Sequence, residues 1–204
     1  MKHLKFIGLA AVAAMAVIGF GGAGTASATV LCKVTESPCS EANLIKNGAE
    51  FVADTEGRSL IEETSGLIIE SCTGGTLSTT ISGQGGASET VNIATVPSSW
   101  AWSGCEAGGL SATESGTLEL QHLAGTDHGT LTGKGFGLKI TTPECTYVSA
   151  SGNEVGRITG GTSPKIDVHS VLVKSKGSLI CPQYVIWVAN YKITKPASFY
   201  VVAS

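Results

Sequence analysis

The sequence is poor in charged residues and lacks sustained helical periodicity. Asp, Glu, Lys and Arg make up 14% of the chain, against about 25% in typical proteins. The net charge is −3, and it becomes more negative when residues 1–28 are removed. Nucleic acids and anionic membranes require basic patches on their partners. The composition therefore argues against both, and the missing periodicity argues against a helical fold.

Motifs for cofactors and common catalytic centres are also missing. The chain has no C-x-x-C pair or cysteine-histidine cluster for zinc, and no alternating Asp and Asn run for calcium. It has no G-x-S-x-G nucleophile elbow. Residues Gly133–Gly137 are glycine-rich like a phosphate-binding loop, but the Gly-Lys-Ser/Thr ending of that motif is absent. We therefore expect no cofactor and no metal, and we attribute these glycines to bulges or close strand packing.

The N-terminus has the pattern of a secretory signal peptide. A positively charged start, Met1–Lys5, precedes an uncharged apolar run, Phe6–Phe20, and then Ala26-Ser27-Ala28. This order of segments with an A-x-A site predicts a signal peptide over residues 1–28, cleaved after Ala28. The apolar C-terminus is too short to span a bilayer. We expect a secreted protein without a stable membrane anchor, its mature part a single domain over residues 29–204.

All six cysteines lie after the predicted cleavage site. An even number in an exported chain indicates disulfides. A local clasp is favoured for the first two because they bracket a short segment with a proline, and chain order suggests the other two pairs. The predicted pairs are Cys32 with Cys39, Cys72 with Cys105, and Cys145 with Cys181.

Alternation of apolar and polar residues predicts many short strands. Asn47-Gly48 is a hairpin signal between Asn43–Lys46 and Glu50–Asp54, and Gly74-Gly75 suggests a break between Leu67–Cys72 and Thr76–Ser82. Further strands are predicted at Glu89–Val96, Thr117–Leu123, Thr130–Thr141, Ile166–Leu172 and Phe199–Val202. These segments predict an all-β fold, a single antiparallel β-sandwich of Greek-key or jelly-roll type stapled by disulfides, with a β-barrel as the alternative.

The clearest strand is Tyr184–Thr194. Its inner face is continuously apolar, and the members of that face are Val185, Trp187, Ala189, Tyr191 and Ile193. Exposed to water, such a strip would invite aggregation. We therefore place the strand inside a sheet, with Trp187 in the core. Ile186 and Val188 are also apolar, so part of the opposite face should be covered too.

Two groups of polar residues suggest catalysis. Asp127-His128 with nearby His122 is one, but Gly125–Gly129 has the composition of a hairpin turn, which we favour. Glu62 and Glu63 are the other, a candidate glycosidase pair. Two more glutamates, Glu56 and Glu70, lie near that pair in sequence. For this second group we favour a solvated acidic edge that protects a strand.

Trp100 and Trp102 are candidate binding residues. Sugar-binding domains stack rings on exposed aromatic side chains, whereas β-sandwich cores bury a tryptophan against a disulfide. Alternation places both rings on one side of a strand close to Cys105. We favour core packing and keep glycan binding as the alternative.

Both ends of the mature chain resemble a family of uncharacterised exported proteins of high-GC Gram-positive soil bacteria. The resemblance is carried by Thr29–Val34 with Glu36 and Cys39, and by Cys181–Pro196 with Tyr200 and Val201. It implies export and paired cysteines, and it implies no activity, cofactor or site residue.

These observations favour a non-catalytic secreted or cell-surface domain with a binding or structural role, the candidate partners being a cell-wall glycan or a protein. The alternative hypothesis is a secreted hydrolase acting on an extracellular polymer, using the carboxylates or Asp127-His128.

Overall fold

The structure is a computed structural model. It describes residues 28–84, 90–95, 99–114, 116–150 and 152–204. The predicted signal peptide lies outside the described residues, apart from Ala28. The first strand begins directly afterwards, at Thr29.

The described residues form fifteen β-strands and no α-helix. The strands are β1 (Thr29–Cys32), β2 (Glu50–Thr55), β3 (Ser59–Glu63), β4 (Ile68–Ser82), β5 (Thr90–Thr95), β6 (Trp100–Cys105), β7 (Leu110–Glu114), β8 (Gly116–His122), β9 (His128–Lys134), β10 (Gly137–Ile140), β11 (Cys145–Ser149), β12 (Glu154–Thr159), β13 (Lys165–Gly177), β14 (Tyr184–Lys195) and β15 (Tyr200–Ala203). Within this part of the chain, no helix is long and apolar enough to cross a membrane. The predicted all-β, antiparallel and disulfide-stapled fold is confirmed.

One large sheet contains thirteen of these strands, and β1 pairs with β15 in a separate two-stranded sheet. Pairings run from β4 through β5, β8, β9, β12 and β13 to β14. From β14 they return to β4 through β2 and β3. The sheet therefore folds back on itself, and its inner face surrounds the core.

The long strands β4 and β13 each pair with two different strands along one edge. One edge of β4 pairs first with β6 and then with β5. One edge of β13 pairs first with β12 and then with β11, which continues to β10 and β7. Strands β5, β8, β9 and β12 therefore form one group, and β6, β7, β10 and β11 form another, at opposite ends of β4 and β13. The core is continuous between the two groups.

The predicted strand Tyr184–Thr194 is confirmed as β14. It pairs with β13 along one edge and with β2 and β3 along the other, so it lies inside the sheet. Trp187 is fully buried on its inner face, among the rings of Trp100, Trp102 and Phe136 at centroid distances of 5.4 to 6.3 Å. Its indole Nε1 donates to Ser59 Oγ at 3.0 Å, which satisfies the polar group at the centre of the core.

The hairpin predicted at Asn47-Gly48 and the break predicted at Gly74-Gly75 are both wrong. Asn47-Gly48 is a turn, with φ of 83° at Gly48, but no strand precedes it, and β2 pairs with β14 and β4 instead of a local partner. Gly74 and Gly75 do not interrupt the chain, since both lie within β4 opposite β6. A Cβ on Gly74 would lie 2.6 Å from Ser103 Oγ, so close approach of the strands explains this glycine.

The glycines between 133 and 137 act in two ways. Gly135 has a φ of 72° and ends β9, so the predicted strand Thr130–Thr141 is two strands, β9 and β10. A Cβ on Gly133 would lie 2.7 Å from Ser149 Oγ and from Val155 Cγ2. Close packing at Gly133 is therefore confirmed.

All three predicted disulfide pairs are confirmed: Cys32–Cys39, Cys72–Cys105 and Cys145–Cys181. Cys72 and Cys105 are direct partners across the β4–β6 pairing. Three disulfides are consistent with folding in an oxidising environment outside the cytoplasm.

Candidate functional site

Most of the exposed hydrophobic surface is gathered at one end of the molecule. Of eight large hydrophobic side chains exposed in the described residues, six lie on the neighbouring β3–β4 and β13–β14 hairpins. We call these six residues the apolar end: Leu67, Ile68, Val171, Leu179, Ile180 and Tyr184. A group of exposed hydrophobic side chains on neighbouring elements is typical of an interaction site, whereas single exposed hydrophobic residues are ordinary.

Strand pairing places the two hairpins side by side. Ile68 pairs with Glu62, Glu62 with Ile186, and Ile186 with Val171, which makes one row across β4, β3, β14 and β13 on the outer face of the sheet. Ile186 and Val188 are only partly buried, so the expected covering of this face is partial. The row brings Ile68 of one hairpin and Val171 of the other onto the same face of the sheet, with Glu62 and Ile186 between them.

The β13–β14 loop carries the most exposed members. Leu179 is 100% exposed and Ile180 is 74% exposed. The next residue, Cys181, is buried and bonded to Cys145 of β11. The Cys181 carbonyl also accepts a hydrogen bond from Lys174 Nζ at 3.1 Å. The disulfide and this hydrogen bond hold the base of the loop while its two aliphatic side chains face water.

The β3–β4 turn carries the second pair of exposed aliphatic residues. The Gly66 N–H donates to Glu63 O at 2.9 Å, and the Glu63 N–H donates to Leu67 O at 2.8 Å. Gly66 has a φ of 87°, a conformation that favours glycine. This closed turn presents Leu67 and Ile68 next to each other at the end of the sheet.

A buried carboxylate organises the backbone behind the apolar end. Glu70 is two residues beyond Ile68 and is almost completely buried. Its Oε1 accepts backbone N–H bonds from three residues, Ser71, Glu106 and Ala107, at 2.9 to 3.0 Å. Its Oε2 accepts one from Gly109 at 3.2 Å. Glu70 thereby fixes the loop between β6 and β7 to β4, as bound anions do in backbone N–H nests.

Trp100 and Trp102 face inward. Trp100 is buried and belongs to the core, as core packing predicts. Trp102 is partly exposed and stacks on Trp100, with ring centroids 5.3 Å apart and an interplanar angle of 6°. Trp100 therefore has no open face for a sugar ring.

Residues Asp127 and His128 lie at the β8–β9 hairpin, as the turn interpretation predicts. His122 pairs with Gly129, so the adjacent His128 projects toward the opposite face. His122 Nε2 is 2.7 Å from the Thr126 carbonyl oxygen, which only accepts, so this nitrogen carries the proton. His128 Nδ1 is 3.1 Å from Asp127 Oδ1. The two histidines are therefore not assembled around one carboxylate.

A cleft of about 510 Å³ lies beside this hairpin, and its polar lining includes Glu36, His122 and Asp127. Hydrogen bonds from the Ser40 side chain, the Asn43 side chain and the Ser40 backbone hold the pKa of Glu36 below its usual value. These bonds all go to Oε1 and tie together the segment within and just after the Cys32–Cys39 clasp. The carboxylate of Glu36 has a structural task there.

The glutamates near β3 are dispersed, and the acidic-edge interpretation is wrong. Strand β3 is paired on both edges and so is not an edge strand. Glu62 and Glu63 point to opposite faces of it, while Glu56 forms an ion pair with Lys165 at 2.7 Å. Glu70 is buried rather than solvated. These positions do not form the facing carboxylate pair of a glycosidase.

Two groups in the described residues have the proximity of metal ligands: Cys32, Glu36 and Cys39, and Glu70, Cys72 and Cys105. In both groups the cysteines are joined as disulfides, so no thiolate is available.

Sequence reasoning missed the apolar end. The available signal was local, because each aliphatic pair follows a turn glycine, Leu67-Ile68 after Gly66 and Leu179-Ile180 shortly after Gly177. The alternation rule assigns apolar residues beside turns to the ends of strands. Only the hydrogen-bonded contact between β3 and β14 shows that Leu67-Ile68 and Leu179-Ile180 lie at the same end of the sheet.

No protein-family model matches this chain. Neither the curated proteins nor the solved structures contain a significant match.

Proposed function

We propose that this protein is a non-catalytic, exported binding domain whose binding surface is the apolar end. The observation that carries the proposal is the concentration of six exposed hydrophobic side chains on two adjacent hairpins. Water-exposed aliphatic side chains are unfavourable by about 1.5–3 kcal/mol each relative to burial. A surface that keeps several of them together gains this free energy when a partner covers it.

Export is supported by the three disulfides and by the signal-peptide pattern of residues 1–28. The resemblance of both chain ends to exported proteins agrees with this. In this proposal the mature protein acts outside the cytoplasm, where an exposed apolar surface meets the cell envelope.

His122 and Asp127 line one cleft together with Glu36. A binding role is nevertheless favoured over hydrolysis, because the other candidate catalytic side chains lie elsewhere and Glu36 is held by hydrogen bonds within its own segment. His122 and His128 project to opposite faces of their hairpin, and Glu70 is occupied by four backbone N–H groups. Catalysis by acid and base groups requires both within reach of one substrate.

The test compares binding of the purified mature protein to envelope fragments of a Gram-positive bacterium. We expect Leu179→Ser/Ile180→Ser to lose at least about tenfold in affinity, because each lost aliphatic contact contributes more than 1.4 kcal/mol when fully buried. The matched control is Val34→Ser/Leu123→Ser, since these residues are exposed hydrophobics, at 42% and 43%, outside the apolar end. Equal binding by both double variants and the native protein would overturn the proposal.

A further inference from the structure

We propose that the partner of the apolar end is a lipid bilayer, into which the two loop tips insert. This inference rests on the proposed function and names the partner of the same surface. The inserting side chains are two aliphatic pairs, Leu67-Ile68 and Leu179-Ile180, and Tyr184 lies at the rim.

The first argument is the position of these residues. Leu67 is in the β3–β4 turn directly before β4, and both Leu179 and Ile180 are in the β13–β14 loop. Because β3 pairs with β14, both connections leave the sheet at the same end. Turn residues at an end of the sheet approach a planar surface before the strands do. This placement suits shallow insertion at the boundary between headgroups and acyl chains.

The second argument is hydrogen bonding at the tips. Backbone groups entering hydrocarbon must be satisfied within the protein. The β3–β4 turn closes its own bonds between Glu63, Gly66 and Leu67, and the Cys181 N–H donates to Ser178 O at 3.1 Å. These internal bonds lower the cost of moving the tips out of water.

The third argument is the chemistry of the surface. The binding energy of a protein interface comes mainly from Trp, Tyr and Arg. The exposed hydrophobic residues of the apolar end are five aliphatic residues and one tyrosine. Aliphatic tips with an aromatic residue at the rim match the depth profile of a bilayer, where tyrosine favours the interface.

The fourth argument is charge. Lys174 and Lys176 near the end of β13 and Glu62 and Glu63 at the end of β3 contribute equal numbers of positive and negative charges. Another lysine near this end, Lys139, is paired with Glu144. Local neutrality, together with the net negative charge of the chain, favours apolar insertion over attraction to anionic headgroups. Binding should therefore depend weakly on salt and on the fraction of anionic lipid.

The experiment is cosedimentation of the mature protein with vesicles of phosphatidylcholine, and with vesicles containing an equal share of phosphatidylglycerol, at low and high salt. We expect similar binding to both compositions and a loss of at least about tenfold for Leu179→Ser/Ile180→Ser and for Leu67→Ser/Ile68→Ser. Val34→Ser/Leu123→Ser should bind like the native protein. Unchanged thermal unfolding of every variant establishes that each one is folded.

Three results would overturn the bilayer as partner. The first is no binding of the native protein to either vesicle. The second is equal loss in the control variant. The third is binding to anionic vesicles alone that salt abolishes. If the native protein fails on vesicles but still binds envelope fragments through Leu179 and Ile180, the proposed function stands and the partner is a wall glycan or a protein. If both assays are negative, both proposals fall.

Discussion

Glu70→Gln removes a negative charge from the N–H nest behind the apolar end while hardly changing the size of the side chain. In the native protein the carboxylate accepts four backbone N–H bonds, from Ser71, Glu106, Ala107 and Gly109. A glutamine amide has one oxygen, so its NH₂ group must face at least one of these donors. We therefore expect the variant to destabilise the fold and to loosen the loop between β6 and β7.

The size of the effect follows from these contacts. A hydrogen bond to a charged group contributes about 1.5–3 kcal/mol and a neutral one about 0.5–1.5 kcal/mol, so three bonds each lose about 1 kcal/mol. A buried N–H without an acceptor costs about 1–3 kcal/mol more. Burying a neutral amide costs less than burying a carboxylate, which offsets part of this loss. We expect a net decrease of about 2–4 kcal/mol in the free energy of unfolding.

The assay is urea unfolding with the disulfides intact, combined with hydrogen exchange at the amides of residues 106, 107 and 109. Glu106→Gln is the matched control, because Glu106 is in the same loop but its side chain forms an exposed ion pair with Arg58. Exposed pairs of this kind contribute about 0–1 kcal/mol. Equal unfolding midpoints and equal exchange rates in the two variants would refute the assigned role of Glu70.

Other outcomes test the core and the cross-links. Trp187→Ala should cost about 3–5 kcal/mol through lost burial and a cavity, and Lys192→Ala under about 0.5 kcal/mol; equal shifts of the urea midpoint would contradict the assignment of β14. Reduction of the disulfides should lower the melting temperature strongly, since each of the two long-loop bridges contributes about 3–4 kcal/mol, and unchanged melting would show that they are idle. Burial raises the pKa of Tyr191 to about 12, so its neutral form is favoured in the fold. Its contribution to stability is complete below pH 10, the ordinary pKa of tyrosine, and is lost as the pH rises toward 12; Tyr191→Phe should flatten that decline in the urea midpoint.

Features with a strong local or periodic signal could be predicted from the sequence. The long apolar face of β14 predicted a strand that is paired along both edges, because an exposed strand with such a face would aggregate. The disulfide pairs followed chain order, and Cys72 and Cys105 are indeed cross-strand partners. The strand prediction succeeds because the residues of one strand determine it, whereas the disulfide pairs agree with chain order although two of them join separate elements.

Features that depend on distant strands could not be predicted. Gly74-Gly75 has the composition of a turn, but β6 must approach β4 closely there, and a side chain on Gly74 would collide with Ser103. Glu70 has the sequence context of a solvated acidic residue. Three of its four N–H donors come from the β6–β7 loop, which only the fold brings next to β4. Turn and surface preferences depend on a residue's neighbours in sequence. The environments of Gly74 and Glu70 are instead determined by residues on other strands and loops.

The apolar end joins exposed hydrophobic side chains to a heavily constrained part of the backbone. Its loops are held by the Cys145–Cys181 disulfide, while Glu70 and Cys72–Cys105 fix the strand and loop behind the β3–β4 turn. A flexible loop would lose conformational entropy on binding, which opposes association. A loop already fixed by covalent and hydrogen bonds loses little, so more of the free energy of burying Leu179 and Ile180 remains for binding. In the proposed binding role the cross-links therefore contribute beyond stability, because they reduce the conformational entropy that the loops lose on binding.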